Sequence, residues 1–362
     1  MMNAEFPEDI NLGGTTQEQH KEFEKSVSRF TERPVKQYLT YDATDTYRFV
    51  FFDIETTSIN TRDAEICQLS AVDENEKTYT EYVMPNGQIC FGASCVNNLT
   101  VKEINGEKTL CKNSVPVDSV PLQVALESFA IFLRECSSES AASNVVTILF
   151  GHNSSIFDIP VLLRNADASF ASKRDEVNIY FGDTLPLIRS LIKCKHSPLQ
   201  QSRADLSSIY ECLFAETRGD DRGDALADAL ALKKILLSSE LAIDTEKIIN
   251  GSRIHSVCEA QADLSYLDHR HRLLDTFTST LYRPGDEQSP ITKGMAEKMS
   301  GSGISYHDLC SLYRKFGKGG VIAVLNMAPS HLVASKKPRV TRNKRILRNI
   351  LAHLKSNVSN LE

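Results

Sequence analysis

The chain has no Cys-x-x-Cys pair, no apolar run approaching the roughly 18 residues of a membrane span, and no overall excess of basic residues. Its nine cysteines are an odd count, scattered from Cys67 to Cys310. That pattern argues against a disulfide framework or zinc ribbon and for a reducing compartment. The opening residues, Met1-Met-Asn-Ala-Glu-Phe-Pro-Glu-Asp, are acidic and carry no apolar segment. A soluble intracellular protein of the nucleus or cytoplasm, with no membrane partner, is therefore expected. A formal net charge of −6 does not suit a body that coats nucleic acid, so any such contact must be local.

What is present allows one ordinary domain of roughly 150–200 residues and a smaller module in 362 residues. The chain is organised around Arg48-Phe-Val-Phe-Phe-Asp-Ile-Glu-Thr-Thr, where an apolar strand runs into Asp53 and Glu55. Alternate side chains of a strand share a face, so the two carboxylates project together while Ile54 returns to the core. Two adjacent like charges repel and call for a cation. Hard oxygen ligands suit Mg²⁺ or Mn²⁺. The alternative is a strand end that simply surfaces into solvent.

Around that strand, Glu65–Val72 and Thr78–Met84 alternate as two further strands of a meander. Residues 86–120 read as a long irregular connection, and Pro121–Cys136 has helical spacing. Val145–Phe150 is apolar almost throughout, as a strand covered on both faces is. It ends in Gly151-His-Asn-Ser-Ser-Ile-Phe-Asp158, a turn into a helix, so Asp158 is placed either as a third acid of the site or as that helix's cap. His152 reads as a turn residue, and Asp183-Thr184 as the cap of the next helix. The helix that follows Gly223-Asp224 is mostly apolar, and Asp228 one turn inside it needs either a partner or an outward-facing position.

Phe52-Asp-Ile-Glu-Thr-Thr, Gly151-His-Asn-(x)4-Asp158 and Asp224-Ala-Leu-Ala-Asp228-Ala-Leu-Ala-Leu, in that order, resemble the three motifs of the DEDD (DnaQ-like) 3′–5′ exonucleases. Ile66-Cys-Gln-Leu-Ser-Ala-Val is similar to the animal branch that contains the three-prime repair exonucleases and the exonuclease-like domain of the promyelocytic leukaemia protein. The resemblance spans residues 47–240. It implies an α/β fold, a ribonuclease-H-like mixed sheet flanked by helices, here followed by a small helical C-terminal module. It also implies a pair of Mg²⁺ (or Mn²⁺) ions about 4 Å apart held by Asp53, Glu55, Asp158 and Asp228. Nucleic acid would be the substrate, DNA or RNA, with Thr56, Thr57 and Asn153 on the substrate side and a homodimer as the assembly.

One position departs from the family. The branch places a histidine general base five residues before the last Asp, or a tyrosine four before; here those positions are Gly223 and Asp224. His196 is too far upstream to replace it. Either the chain is an exonuclease slowed by the roughly 10²- to 10⁴-fold that a missing base costs, with Asp221 or Asp224 as a substitute, or it is a lapsed module that binds nucleic acid or protein. Gly223 itself is read either as a lost base or as a glycine required by positive φ.

The remaining organisation is an N-terminal arm over residues 1–46, with a short helix near Gln17–Phe30, a helical extension over 241–283, and a helical module with a basic tail over 284–362. Gly317-Lys-Gly-Gly in that module is read as a turn. From Lys336 to Lys355 eight basic residues and no acid occur. Lys336, Lys337, Arg339, Arg342, Lys344 and Arg345 are the candidate nucleic-acid or nuclear-import patch, the alternative being a solvated helix face.

Overall fold

The structure, a computed structural model, describes residues 17–28, 30, 36–138, 144–166, 177–195, 197–219, 223–327 and 337–358. The expectations for residues 1–16, His196, Asp221 and Lys336 lie outside the described residues. Packing divides the chain into two units, Lys36–Gln261 and Met1–Val35 with Ala262–Glu362. The helix Gln17–Val27 of the expected arm therefore belongs with the C-terminal helices.

In residues 36–261 the strands are β1 (Thr46–Thr56), β2 (Ile66–Asp73), β3 (Thr78–Val83), β4 (Leu99–Ile104), β5 (Glu107–Lys112), β6 (Val115–Pro116), β7 (Ser119–Val120), β8 (Val145–Gly151), β9 (Ile179–Asp183) and β10 (Arg253–Ser256). Seven of them form one mixed sheet in the order β10-β9-β8-β1-β2-β3-β7. β2 runs antiparallel to β1 and β3, while β8 and β9 run parallel to β1. This is the ribonuclease-H-like α/β sheet expected from the sequence.

β1 is central because it is apolar on both faces. Val50, Phe52 and Ile54 pack with Leu126, Phe129 and Leu133 of the helix Leu122–Ser138. Phe49 and Phe51 face the other way, into a cluster with Ile188 of the helix Leu185–Lys193 and Leu232 and Ile235 of the helix Ala225–Leu236. Each such side chain contributes roughly 1.5–3 kcal/mol by leaving water. By the same alternation Asp53 and Glu55 fall on the face of the helix Ala225–Leu236. The β1–β8 ladder ends at Phe51 and Phe150, whereas β1 continues on β2 through Glu55. The sheet thus parts at the carboxyl ends of β1 and β8, where open α/β sheets place their sites.

Residues 86–120 are not irregular. They hold the helix Phe91–Asn97 and the three-stranded sheet β4-β5-β6. The turn between β4 and β5 is Asn105-Gly106, both with positive φ (54° and 83°), which is the chemistry of a tight hairpin turn whose twist matches that of its strands.

The second unit has its own core. Phe23 and Val27 of Gln17–Val27 join Leu309, Leu312 and Val324 of the helix Tyr306–Asn326, and Ile350 and Leu354 of the helix Lys344–Val358. Ser305 and Asp308 form a capping box at the start of Tyr306–Asn326, and Gly317 breaks that helix at φ 59°, ψ −157°. The Gly317-Lys-Gly-Gly turn is this kink. Among the described residues no helix is long and apolar enough to cross a membrane.

Candidate metal centre

Asp53 and Glu55 leave β1 on the side where the helix Ala225–Leu236 presents Asp228. Carboxylate oxygens of these three residues all lie within 4.8 Å of one another. Asp158, 5% exposed, starts the helix Asp158–Asn165. Its side chain is not that helix's cap, because the cap position is Phe157, which makes no side-chain bond. Asp158 stands outside the three-oxygen group, yet its charge is, after burial, the largest influence raising Asp53.

Bringing these acids together is costly, and their protons register it. Burial and the neighbouring Asp158, Asp228 and Glu55 hold Asp53 well above the usual carboxylate range. Burial first, then Asp228, pushes Glu55 up to about 7. Burial also pushes Asp158 up to about 7, partly offset by backbone hydrogen bonds. Asp228 is raised by burial and pulled back by Arg218.

Two cations meet this charge. The Arg218 guanidinium, 8% exposed, pairs directly with Asp228 Oδ1. Asp228 therefore has a protein partner, where the sequence pointed only to a metal or an outward face. Lys112, the last residue of β5, donates from Nζ to Gly223 O at 2.6 Å and lies 3.7 Å from Asp224 Oδ2. Its charge lowers both Glu55 and Asp228. Sequence reasoning missed both. The Asn105-Gly106 turn signals the hairpin that carries Lys112; nothing local signals Arg218.

The position of the absent base is closed by the fold. Gly223 has φ +75°, and a Cβ there would stand 2.1 Å from Val96 O and 2.9 Å from Asn97 Cα. Of the two readings of Gly223, the structural one is satisfied: backbone conformation and the end of the helix Phe91–Asn97 both require glycine. Asp224 is no substitute base either. Its Oδ1 accepts from Leu226 N and Ala227 N at 3.1 and 3.2 Å, capping the helix, while Gln68 Nε2 and Tyr82 OH donate to Oδ2 at 3.1 and 3.4 Å. With Lys112 beside it, the carboxylate is fully engaged.

The expected substrate-side residues are each engaged by a neighbour, and Thr56 and Thr57 are buried. Thr56 Oγ1 donates to Ser58 O at 2.8 Å, and Thr57 Oγ1 accepts from Glu65 N at 3.0 Å. Asn153 adopts φ 64° and donates its amide to Asp183 Oδ1 at 2.9 Å. Asp183 also accepts from Ser155 N and Leu185 N, at 3.4 and 3.0 Å, so it joins the Gly151–Phe157 turn to the end of β9 besides opening the next helix. His152 is satisfied within that turn by Thr184 Oγ1 and Ala204 O, at 3.0 and 2.7 Å. Of the basic candidates, Arg339 donates to Ser302 O at 3.3 Å, and Lys344 and Arg345 open the helix Lys344–Val358 in the second unit. Lys337 and Arg342 precede that helix and are exposed.

Fold and acids together define a mixed α/β domain with a convergent acidic cluster at the end of its central strand. Residues 287–357 match the family described as PML, C-terminal domain. Among curated proteins no sequence matches the chain. Among solved structures the chain is similar to Escherichia coli exonuclease I. Its zinc-bound complex with single-stranded DNA is 15% identical, with a TM-score of 0.39 over 64% of this chain and 45% of that one. A metal-free form of that complex gives 16%, 0.39, 64% and 44%. A structure described as suggesting how processivity is achieved gives 14%, 0.40, 64% and 46%. The chain thus spans under half the length of these structures, and no residue role follows from them.

Proposed function

We propose that residues 36–261 form a metal-dependent 3′–5′ exonuclease domain of the DEDD type, acting on nucleic acid without the usual general base. The observation that carries this reading is the convergence of Asp53, Glu55 and Asp228 within 4.8 Å. An all-carboxylate, all-oxygen donor set fits Mg²⁺ or Mn²⁺. Asp53, Glu55 and Asp228 would hold the ions, with Asp158 as the fourth acid. Bound there, the ions would supply Lewis-acid polarisation of the phosphodiester and a more acidic attacking water.

The chain's own residues set the limits of that chemistry. An ion on Asp228 would compete with the Arg218 guanidinium for the charge of Oδ1 and would weaken or release that pair. Arg218, so released, is a cation placed for a phosphate oxygen. Gly223 and Asp224 supply no base for the water's proton, so unless Asp221 takes it, turnover falls roughly 10²- to 10⁴-fold below that of an enzyme with a base.

The test follows release of a 3′-terminal label from single-stranded DNA and RNA oligonucleotides with Mg²⁺ or Mn²⁺, for the parent chain and Asp53→Ala. Release that requires metal and disappears with Asp53→Ala is expected. The second reading, a lapsed domain that only binds nucleic acid or protein, draws on the same Arg218 pair and on the closed Gly223 position. It is selected if the parent chain binds oligonucleotide yet releases no label.

A further inference from the structure

The helix Lys344–Val358 has one broad apolar face, with Leu347 buried in it and Leu351 packed at its edge. Ile350 and Leu354, fully buried, belong to the core of its unit. Residues 344, 347, 348, 351, 352 and 355 recur at intervals of three and four and form a stripe along the outer edge of that face. With Lys318 and Ile322 of the helix Tyr306–Asn326, that stripe bounds a groove of about 420 Å³, within the roughly 300–1,000 Å³ of binding clefts.

The groove has a floor and a rim of different chemistry. Ile322, Leu347 and Leu351 make the floor, and Ile322 and Leu351 keep part of their surface open. Lys318, Lys344 and Arg348 stand around it, all exposed, with the partnered Lys355 at its far end, and among the described residues no acid lines it. Three cations around an aliphatic slot select an occupant with apolar residues on one side and carboxylates flanking them. The slot runs along three turns of helix, about 16 Å, enough to hold the roughly 10 Å over which a helix sets anchors at i, i+3 or i+4, and i+7. No aromatic ring lines the groove to stack a base. Its concave form is also the reverse of the convex apolar face that an interfacial helix lays into a membrane.

We propose that this groove docks an acidic amphipathic helix of a partner protein. The apolar face of the incoming helix covers Ile322, Leu347 and Leu351, and its flanking Asp or Glu residues meet Lys318, Lys344 and Arg348. The long stems of the lysines extend the apolar contact while their ammonium groups reach the carboxylates.

The experiment titrates the full chain into a fluorescein-labelled synthetic helix of about five turns, leucines on one face and glutamates beside them, with a scrambled peptide of equal composition as control. Saturable anisotropy is expected, at least about tenfold tighter for the patterned peptide, and weakened at least about tenfold by the double substitution Lys344→Glu, Arg348→Glu. Leu351→Asp is expected to abolish binding, and circular dichroism of each variant verifies that it remains folded. Equal affinity for the scrambled peptide, or indifference to both variants, overturns the proposal. So does displacement of the patterned peptide, at lower concentration and through the same residues, by a single-stranded oligonucleotide, by phosphatidylserine vesicles or by a second copy of the chain.

Discussion

The acidic cluster at the end of β1 and the basic-rimmed groove along Lys344–Val358 both gather charge of one sign, yet they resolve it in opposite ways. In the cluster, burial raises the pKa of every acid, and the fold brings Arg218 and Lys112 to meet them. In the groove, Lys318, Lys344 and Arg348 stand exposed, and among the described residues no acid lines it. Buried like charges must be neutralised from within, by protons, side chains or bound ions. Exposed ones cost little in water and leave their neutralisation to whatever binds.

The comparison is most easily broken at Gly223. Gly223→Ala introduces a Cβ at positive φ and 2.1 Å from Val96 O. It should destabilise residues 36–261 by about 3 kcal/mol or more, summing a left-handed penalty and overpacking. Gly223→His should do at least the same and restore no rate. Urea denaturation followed by circular dichroism measures the first, and label release the second; a stable, faster Gly223→His would show that the closed position is not what removed the base.

Removing the internal cation comes next. Arg218→Ala leaves Asp228, 22% exposed, without its partner. A loss of about 2–4 kcal/mol is expected, at the lower side for a buried pair because proton uptake relieves part of it. Millimolar Mg²⁺ or Mn²⁺ should recover more stability in the variant than in the parent, since an ion that binds only the folded state adds RT ln(1 + [L]/Kd). Equal metal responses would show that Arg218 and metal do not compete for Asp228.

A smaller and graded effect belongs to pH. Glu55 and Asp158 are pushed up to about 7 in the folded chain, above ordinary carboxylate values near 4. The folded state therefore holds protons that the unfolded state has released. Stability is fully present below the unfolded pKa values and is lost as pH rises through about 7. Without metal, the fall should be up to about 1.4 kcal/mol per pH unit for each proton concerned, and Glu55→Gln should flatten it. Denaturation midpoints between pH 5 and 8 read this directly, and a rise across that window would contradict it.

The smallest effect sharpens the contrast. Lys344→Glu or Arg348→Glu should change stability by no more than about 0.5 kcal/mol, as an exposed charge does, while changing what the groove binds. A loss comparable to that of Arg218→Ala would remove the distinction between the two regions.

The parts legible in the sequence were those fixed by periodicity. β1 and β8 read correctly because both are apolar on both faces, and period two placed Asp53 and Glu55 on one side. The helix Leu122–Ser138 followed from its spacing. Asp158 and Asp228 were recognisable by their positions at helix starts. What was not legible depended on chain segments meeting from afar. Residues 86–120 read as irregular because short strands with polar outward positions have weak alternation, although the Asn105-Gly106 turn within them carried the hairpin signal. Asp224 looked free to act as a base, since its bonds to Gln68 and Tyr82 join it to β2 and β3. The pairing of Arg218 with Asp228 crosses ten residues that no periodic pattern links.

The docking of the helix Ala225–Leu236 on β1 also has a consequence in time. Asp53 and Asp228 stand near opposite ends of the sequence of residues 36–261. Their encounter is among the contacts of longest loop closure, whose entropy must be met before the contact is rewarded. On that entropy the like charges are expected to assemble after β1, β2 and β3 have formed their local meander, and the Arg218–Asp228 pair to become buried only then. Substitutions at Arg218 should then accelerate unfolding far more than they slow folding, a division that the two limbs of a chevron plot separate. The acidic cluster in that case acts as a latch set last, one that governs how long the folded domain persists rather than how quickly it forms.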